Sequence, residues 1–373
     1  MGFDLAYEPV VMDGLVFVGS PAEDTVTAYD AADGTVRWRF FADGPVRFSP
    51  TCWEGKVYFG ADDGSLYCLD AQTGRLLWRF FAAPRQRLCL GNKRLTSTWP
   101  VRGAPVISEG RLYFAAGIWP FMGVFVYCLD AETGHEVWLN DGTSAVFMLQ
   151  PHNSPAFAAI APQGYMVVNG DRLIVPGGRS VPACFDANTG EMLYYHLSDF
   201  NHMGSYSACS QGTLLFGCGR MWDLASGRYS GSLGTDPVLT PEVLYHLKGG
   251  EVTAVSPGTV KQVETTNDKG AVIRTLESEG GWKSGVRVDR LWLKAGSRLY
   301  ASRGNHLMAL RAQDPKGEDT PLWETDIDGT PGTMAAAAGR LYVSTLEGKL
   351  LCFGGAQVEP RTYPLSPAAG AST

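Results

Sequence analysis

The chain has 373 residues, among them 45 Gly, 22 Pro and 10 Trp, with 45% apolar and 18% charged residues, which describes a turn-rich globular protein with a large core. A net charge of −7 and the lack of any run of Lys and Arg argue against a nucleic-acid partner. The uncharged stretch Leu112–Leu129 is broken by Gly117, Pro120 and Gly123, so it reads as strand, loop, strand and gives no transmembrane segment.

Near the start, Asp4 and Glu8 follow Met1 closely and lead into a strand pattern, so no signal peptide is read in this chain. A motif then recurs. Ala28–Trp38 (AYDAADGTVRW) returns as Cys68–Trp78 (CLDAQTGRLLW), Cys128–Trp138 (CLDAETGHEVW) and Cys184–Tyr194 (CFDANTGEMLY), with a weaker copy at Trp222–Gly227 (WDLASG). Alternating residues form a strand, the Asp accepts hydrogen bonds from the turn backbone, and the Gly permits positive φ where the chain reverses. The Trp falls on the next strand, where its ring packs on a neighbour and its N–H finds a carbonyl.

Another strand precedes each motif, as in Leu15–Gly19, Lys56–Gly60, Arg111–Phe114 and Arg172–Pro176, and a further one precedes that, as in Pro9–Gly14. Four antiparallel strands per unit make a propeller blade. The expected fold is all-β: an eight-bladed β-propeller with blades near 8–42, 46–82, 103–140, 163–200, 205–233, 240–276, 285–326 and 329–356, seven blades being the alternative. The last blade lacks the Asp-Gly-Trp sequence, and its outer strand is expected from residues before Glu8 or from Arg361–Leu365. One domain over 1–365 and a disordered tail over 366–373 follow from this layout.

Eight cysteines form no C-x-x-C and no adjacent pair. Cys68, Cys128 and Cys184 recur in matching strands and Cys352 in a similar one, which reads as buried packing thiols.

In each blade the third-to-fourth-strand turn lies on one face of the disc, and the second-to-third-strand and blade-to-blade connections lie on the other. Long connections at Pro84–Arg102, Asn140–Pro162, Gly117–Gly123 and Gly177–Ser180 should therefore crowd one face. That face is expected to present Arg94, Trp99, Arg102, Trp119, Gln150, His152, Asn153, Arg179 and His202, joined by Trp282, Lys283, Arg303 and His306 from later blades. Arg and flat aromatics suit an anionic or hydroxyl-rich ligand. The competing reading is a cap over the channel mouth in which the arginines bond loop carbonyls. His152, His202 and His306 are weighed as metal ligands, but no spacing links them, and a hydrogen-bonded or solvent-facing role is favoured. The Gly117–Gly123 loop is read as tucked in, with an exposed aromatic wedge for a protein partner as the alternative.

The repeat resembles that of the pyrroloquinoline-quinone (PQQ) dehydrogenase superfamily, strongly in blades one to four and weakly in five and six. The resemblance implies a bacterial, periplasmic or exported protein and leaves the activity open, because the superfamily holds quinone-dependent alcohol and sugar dehydrogenases as well as a scaffold lipoprotein. The dehydrogenases carry adjacent cysteines over the quinone, a Trp beneath it, and calcium or a lanthanide. The adjacent cysteines are missing here, and no Glu, Asn and Asp trio aligns. The expectation is a non-catalytic scaffold that binds a protein or small polar ligand on the insertion-bearing face. A PQQ- and calcium-dependent oxidoreductase acting on alcohols or sugars, its quinone held by Trp99 or Trp282, is the alternative. The chain is also read as a candidate part of a larger polypeptide.

Overall fold

The computed structural model describes residues 8–363, apart from 92–93, 143–145, 151–152, 178–179, 198–206, 218, 269, 271, 279–280, 313–319 and 357–358. Its strands form eight antiparallel sheets arranged as propeller blades. The first strands of successive blades are Val10–Met12, Thr51–Trp53, Val101–Ser108, Val167–Asn169, Cys209–Gln211, Thr235–Leu239, Arg290–Ala295 and Pro331–Ala337. Each touches the next, and the last touches the first, so they line a closed ring. The eight-blade count holds and seven does not.

The two-residue side-chain period of a strand explains how one blade serves two seams. In Lys56–Gly60 of blade two, Val57 and Phe59 enter the core shared with blade one, whereas Tyr58 enters the core shared with blade three. Cys68, Cys128 and Cys184 are buried as expected.

The repeated motif builds a staple across the first three seams. Trp38 donates Nε1–H to Ala71 O at 2.9 Å, Trp78 to Glu132 O at 3.2 Å and Trp138 to Ala187 O at 3.0 Å, each acceptor lying in the turn of the following blade. The same rings lie on the turn glycines. A Cβ at Gly74 would stand 2.6 Å from the Trp38 ring. Gly74 also has φ +69°, so two independent constraints require glycine there.

Blades five and six depart from the motif for a visible reason. The position of the staple in blade five is Gly231, and Leu276 fills its place: a Cβ at Gly231 would lie 2.7 Å from Leu276 Cγ. Leu276 belongs to a hairpin, Val260–Thr266 and Val272–Ser278, inserted between the third and outer strands of blade six. The outer strand is Trp282–Arg287, which pairs with Glu251–Val255, so blade six spans 235–287 and not the expected 240–276. A hairpin does not show the strand-turn-strand spacing of the repeat.

Blade eight has three strands among the described residues. Arg361–Tyr363 are not in a strand, contrary to the expectation of an outer strand there, and the alternative source before Glu8 lies outside the described residues, as does the tail 366–373. With no strand over it, Cys352 is exposed and is not the packing thiol expected.

A titratable side chain is buried in the core without a well-aligned partner. His246 is 2% exposed between blades five and six, and neither ring nitrogen has a well-aligned protein partner among the described residues. A cavity of ≈ 10 Å³ adjoins it, walled by Phe216, Met221 and Leu233, with Arg220 as the charged group, and Lys248 is the nearby cation on its own strand. Burial, helped by Lys248, pushes its pKa down from 6.5 to about 4.

Two outcomes follow from these contacts. Gly55 and Gly74 both have positive φ, but a Cβ at Gly55 meets nothing within 4 Å. Gly55→Ala should cost about 1 kcal/mol for the left-handed conformation alone. Gly74→Ala should cost about 3 kcal/mol because it also displaces Trp38; calorimetric melting of the two variants measures the difference. For His246 the unfolded chain binds the extra proton between pH 6.5 and about 4, so stability falls as pH drops through that window, by up to about 3 kcal/mol. Melting of His246→Leu against pH should show a flatter profile below pH 6.5 than the parent.

Candidate functional site

Three insertions rise from the face that carries the blade-to-blade connections. Between blades two and three is a hairpin, Leu88–Gly91 paired with Arg94–Ser97. Between the second and third strands of blade three is a single 3₁₀ turn, Pro120–Met122. Between blades three and four is a second hairpin, Val146–Leu149 paired with Pro155–Ala158, whose second strand touches the 3₁₀ turn.

The first hairpin and the 3₁₀ turn are anchored at their bases, and the second hairpin is braced at its tip. Arg94 bonds the Asp24 carboxylate and donates to Pro21 O at 3.4 Å and Ala22 O at 2.6 Å, pinning the first hairpin to blade one. Trp99 is 5% exposed and donates Nε1–H to Met122 O at 2.7 Å, which ties the first connection to the 3₁₀ turn. Gln150 donates to Met148 O and Ala156 O inside the second hairpin, and Asn153 occupies its turn at φ +62°.

Beneath the first hairpin lies a charged network. The Asp62 carboxylate, 2% exposed, sits between Arg47 Nε at 2.7 Å and Arg102 Nε at 3.2 Å, and each arginine side chain is 12% exposed. Next to it Asp63 accepts Tyr67 Oη at 2.5 Å and Arg79 Nη2 at 2.6 Å, while Arg79 Nη1 reaches Asp43 at 2.7 Å. Burial raises the Asp63 pKa against those donors.

At the channel mouth, Glu8, Ser49 and Tyr165 lie just ahead of the inner strands of blades one, two and four, and they meet. Tyr165 Oη is 3.2 Å from Ser49 Oγ, which donates to Glu8 Oε2 at 3.4 Å, and Phe48 packs edge-on to the Tyr165 ring. Gly164 and Tyr165 also pair in parallel with Gly103 and Ala104. Desolvation raises the Glu8 pKa despite its hydrogen bonds from Tyr165 and Ser49.

Around these anchors the tips are apolar and open to solvent. Trp119 and Phe121 stack at 6.1 Å and are 58% and 70% exposed. Phe147 and Phe157 are cross-strand partners with ring centroids 5.2 Å apart, 63% and 65% exposed; Leu149 is exposed on the same hairpin, and Leu88, Leu90 and Leu95 are exposed on the first hairpin. The Gly117–Gly123 loop is thus not tucked in as expected: Trp99, from the neighbouring connection, is the aromatic buried against it, bonded to Met122 O, and the loop's own two large rings are left outside.

Of the rim expected from sequence, Arg94, Trp99, Arg102, Trp119, Gln150 and Asn153 gather over blades one to three. Arg94 and Trp99 bond carbonyls of other connections there, Arg102 pairs with the Asp62 carboxylate, and Gln150 bonds within its own hairpin. His152, Arg179 and His202 lie outside the described residues. Arg303 and His306 flank the second-to-third-strand turn of blade seven, across the ring from blade three. His306 is held by Asp326 at 2.8 Å and Glu324 at 3.2 Å, which raise its pKa. Trp282 and Lys283 begin the outer strand of blade six, on the opposite face, so their expected place on the rim is wrong. The hairpin that precedes them moved the strand boundary. Sequence reasoning missed Asp62, Arg47, Tyr165 and the exposed leucines; the alternation of Leu88, Leu90 and Leu95 about a Gly-Asn pair was the readable signal for the last.

A sequence model of the family described as outer membrane protein assembly factor BamB, with PQQ-like repeats, matches residues 2–98 and 96–357. The chain belongs to this family. Among solved structures of its PQQ-like propellers, BamB from Moraxella catarrhalis superposes with a TM-score of 0.58 at 12% identity, over 94% of this chain and 97% of that one. The quinohemoprotein alcohol dehydrogenase from Comamonas testosteroni superposes with a TM-score of 0.55 at 16% identity, over 91% of this chain and 70% of that one. These likenesses show the fold. The alcohol dehydrogenase (quinone) dehydrogenase subunit of Gluconobacter oxydans is 33% identical over 142 residues, 35% of this chain and 18% of that protein. The chain therefore spans under one fifth of the length of that relative.

A quinone seat is not formed by the described residues. Trp99 is turned inward with its N–H committed, Trp282 is on the other face, and the channel mouth holds the Tyr165–Ser49–Glu8 contact. Among the described residues no group of three His, Cys, Asp or Glu side chains is placed to hold a metal ion.

Replacing Asp62 by Ala removes the carboxylate from between two arginines in a nearly water-free site. A loss of about 3 kcal/mol is expected, seen as a lower melting temperature and faster proteolysis within residues 84–98.

Proposed function

We propose that this PQQ-like propeller, a single domain over residues 1–365, is a non-catalytic, exported scaffold that docks a partner protein on its insertion-bearing face. The observation that carries the reading is the cluster of exposed Trp119, Phe121, Phe147, Leu149 and Phe157 on a 3₁₀ turn tied to Trp99 and the hairpin that touches it. Large apolar groups exposed together are costly in water, and aromatic anchors of this kind dominate protein interfaces. The family description, which names an assembly factor of the outer membrane, supports both the export and the scaffold role. No helix among the described residues is long and apolar enough to cross a membrane.

The second reading is a quinone-dependent oxidoreductase acting on alcohols or sugars with PQQ and calcium, favoured by the local identity to an alcohol dehydrogenase (quinone). The arrangement of Trp99 and Tyr165 weighs against it.

One experiment separates them. A photo-crosslinking residue placed at Phe121 or Phe157 and, as a control, at Val137 on the outer strand of blade three is expressed in the native host. A discrete protein adduct at the first two positions and none at Val137 is expected. No adduct at either, together with saturable binding of PQQ in the presence of calcium and dye reduction by alcohols, would reject the scaffold in favour of the enzyme.

A further inference from the structure

The seam between blades eight and one lacks the usual parts. Blade eight ends with Leu350–Phe353, which pairs with Arg340–Thr345 and, among the described residues, with no other strand. Among the described residues no outer strand of blade eight supplies a staple ring.

Blade one nevertheless presents the receiving half of a staple. Its turn is built like the others: Asp30 accepts the Ala32 N–H at 2.7 Å, and Gly34 N–H returns to Asp30 O at 2.8 Å. At the equivalent glycines 74, 134, 190 and 227, an aromatic ring of the preceding blade lies where a Cβ would go, namely Trp38, Trp78, Trp138 and Tyr194. At Gly34 the neighbouring ring is Tyr363, whose Cε2 and Cδ2 lie 3.4 and 3.6 Å from that position, in van der Waals contact with it where the other four rings overlap it. The turn carbonyl is satisfied from blade eight as well: Ala31 O accepts the Arg340 guanidinium and, at 3.5 Å, the Tyr342 hydroxyl, and Ala32 O accepts Arg340 at 3.0 Å. Asp33, held below its usual carboxylate range by hydrogen bonds from Thr35, has Arg361 as a further favourable charge.

We propose that residues 359–363 are a closing strap, in which Tyr363 takes the staple position on Gly34 and joins the last blade to the first without extending the sheet. The ring is half-exposed, at 51%, where the comparable Trp138 and Tyr194 are 9% and 8% exposed. The strap thus closes its seam with a ring more open to solvent than those two.

Hydrogen–deuterium exchange on the full chain and on Tyr363→Ala and Tyr363→Trp tests this. Tyr363→Ala should raise exchange by about fivefold or more in Thr25–Asp30, Arg340–Thr345 and Leu350–Phe353, with Ser65–Asp70 and Phe125–Asp130 unchanged. Tyr363→Trp should hold exchange at or below that of the parent. Unchanged exchange at the seam in Tyr363→Ala, or a rise spread evenly over all eight blades, overturns the strap. A Tyr363→Trp protein that exchanges at the seam as fast as Tyr363→Ala overturns it too. The fate of the scaffold reading is independent of this result.

Discussion

An indole ring lying on a glycine, with its N–H on the neighbouring carbonyl, is the contact on which the ring depends. The glycine serves two demands at once: its backbone conformation turns the chain, and its missing side chain makes room for the aromatic. Because the donor lies in one blade and the acceptor in the next, the contact fixes the angle between sheets, which apolar burial alone leaves soft. Seams without the full set find substitutes. Leu276 reaches back from an inserted hairpin to fill the place at Gly231, and Arg340 takes over the hydrogen-bonding duty at Ala31.

A rigid ring turns irregular connections into a defined surface. Arg94 and Trp99 spend their polar groups on carbonyls, and the Asp62 carboxylate is clamped between two arginines. None of these side chains is free to receive a ligand in the way that their residue types suggest, yet together they hold the hairpins and the 3₁₀ turn upright. What remains for recognition is therefore mainly apolar: the stacked Trp119 and Phe121 and the Phe147–Phe157 pair. The channel mouth, bridged by Tyr165, Ser49 and Glu8, contributes closure to the disc.

The blade architecture was legible in the sequence because the turn motif encodes a contact that each seam repeats, and residues such as Asp70, Gly74 and Trp78 have to recur for geometric reasons. The boundaries of blade six were not, since a hairpin inserted between its third and outer strands erases the spacing while leaving the sheet intact. The side bearing the insertions was readable from strand alternation, and this placed Trp119 and Arg94 correctly. It failed for Trp282 and Lys283, whose strand was assigned to the wrong connection. Whether an arginine is an anchor or a ligand-binding group depends on which carbonyl or carboxylate lies opposite, and the partners here, Asp24 for Arg94 and Asp62 for Arg102, come from distant turns.

The hairpin of blade six also makes the disc two-sided. It projects away from the aromatic tips and carries exposed Lys261, Gln262, Glu264, Thr265 and Thr266. The two faces of the disc thus differ: one carries exposed aromatic rings, and the other a hairpin strand of exposed polar side chains.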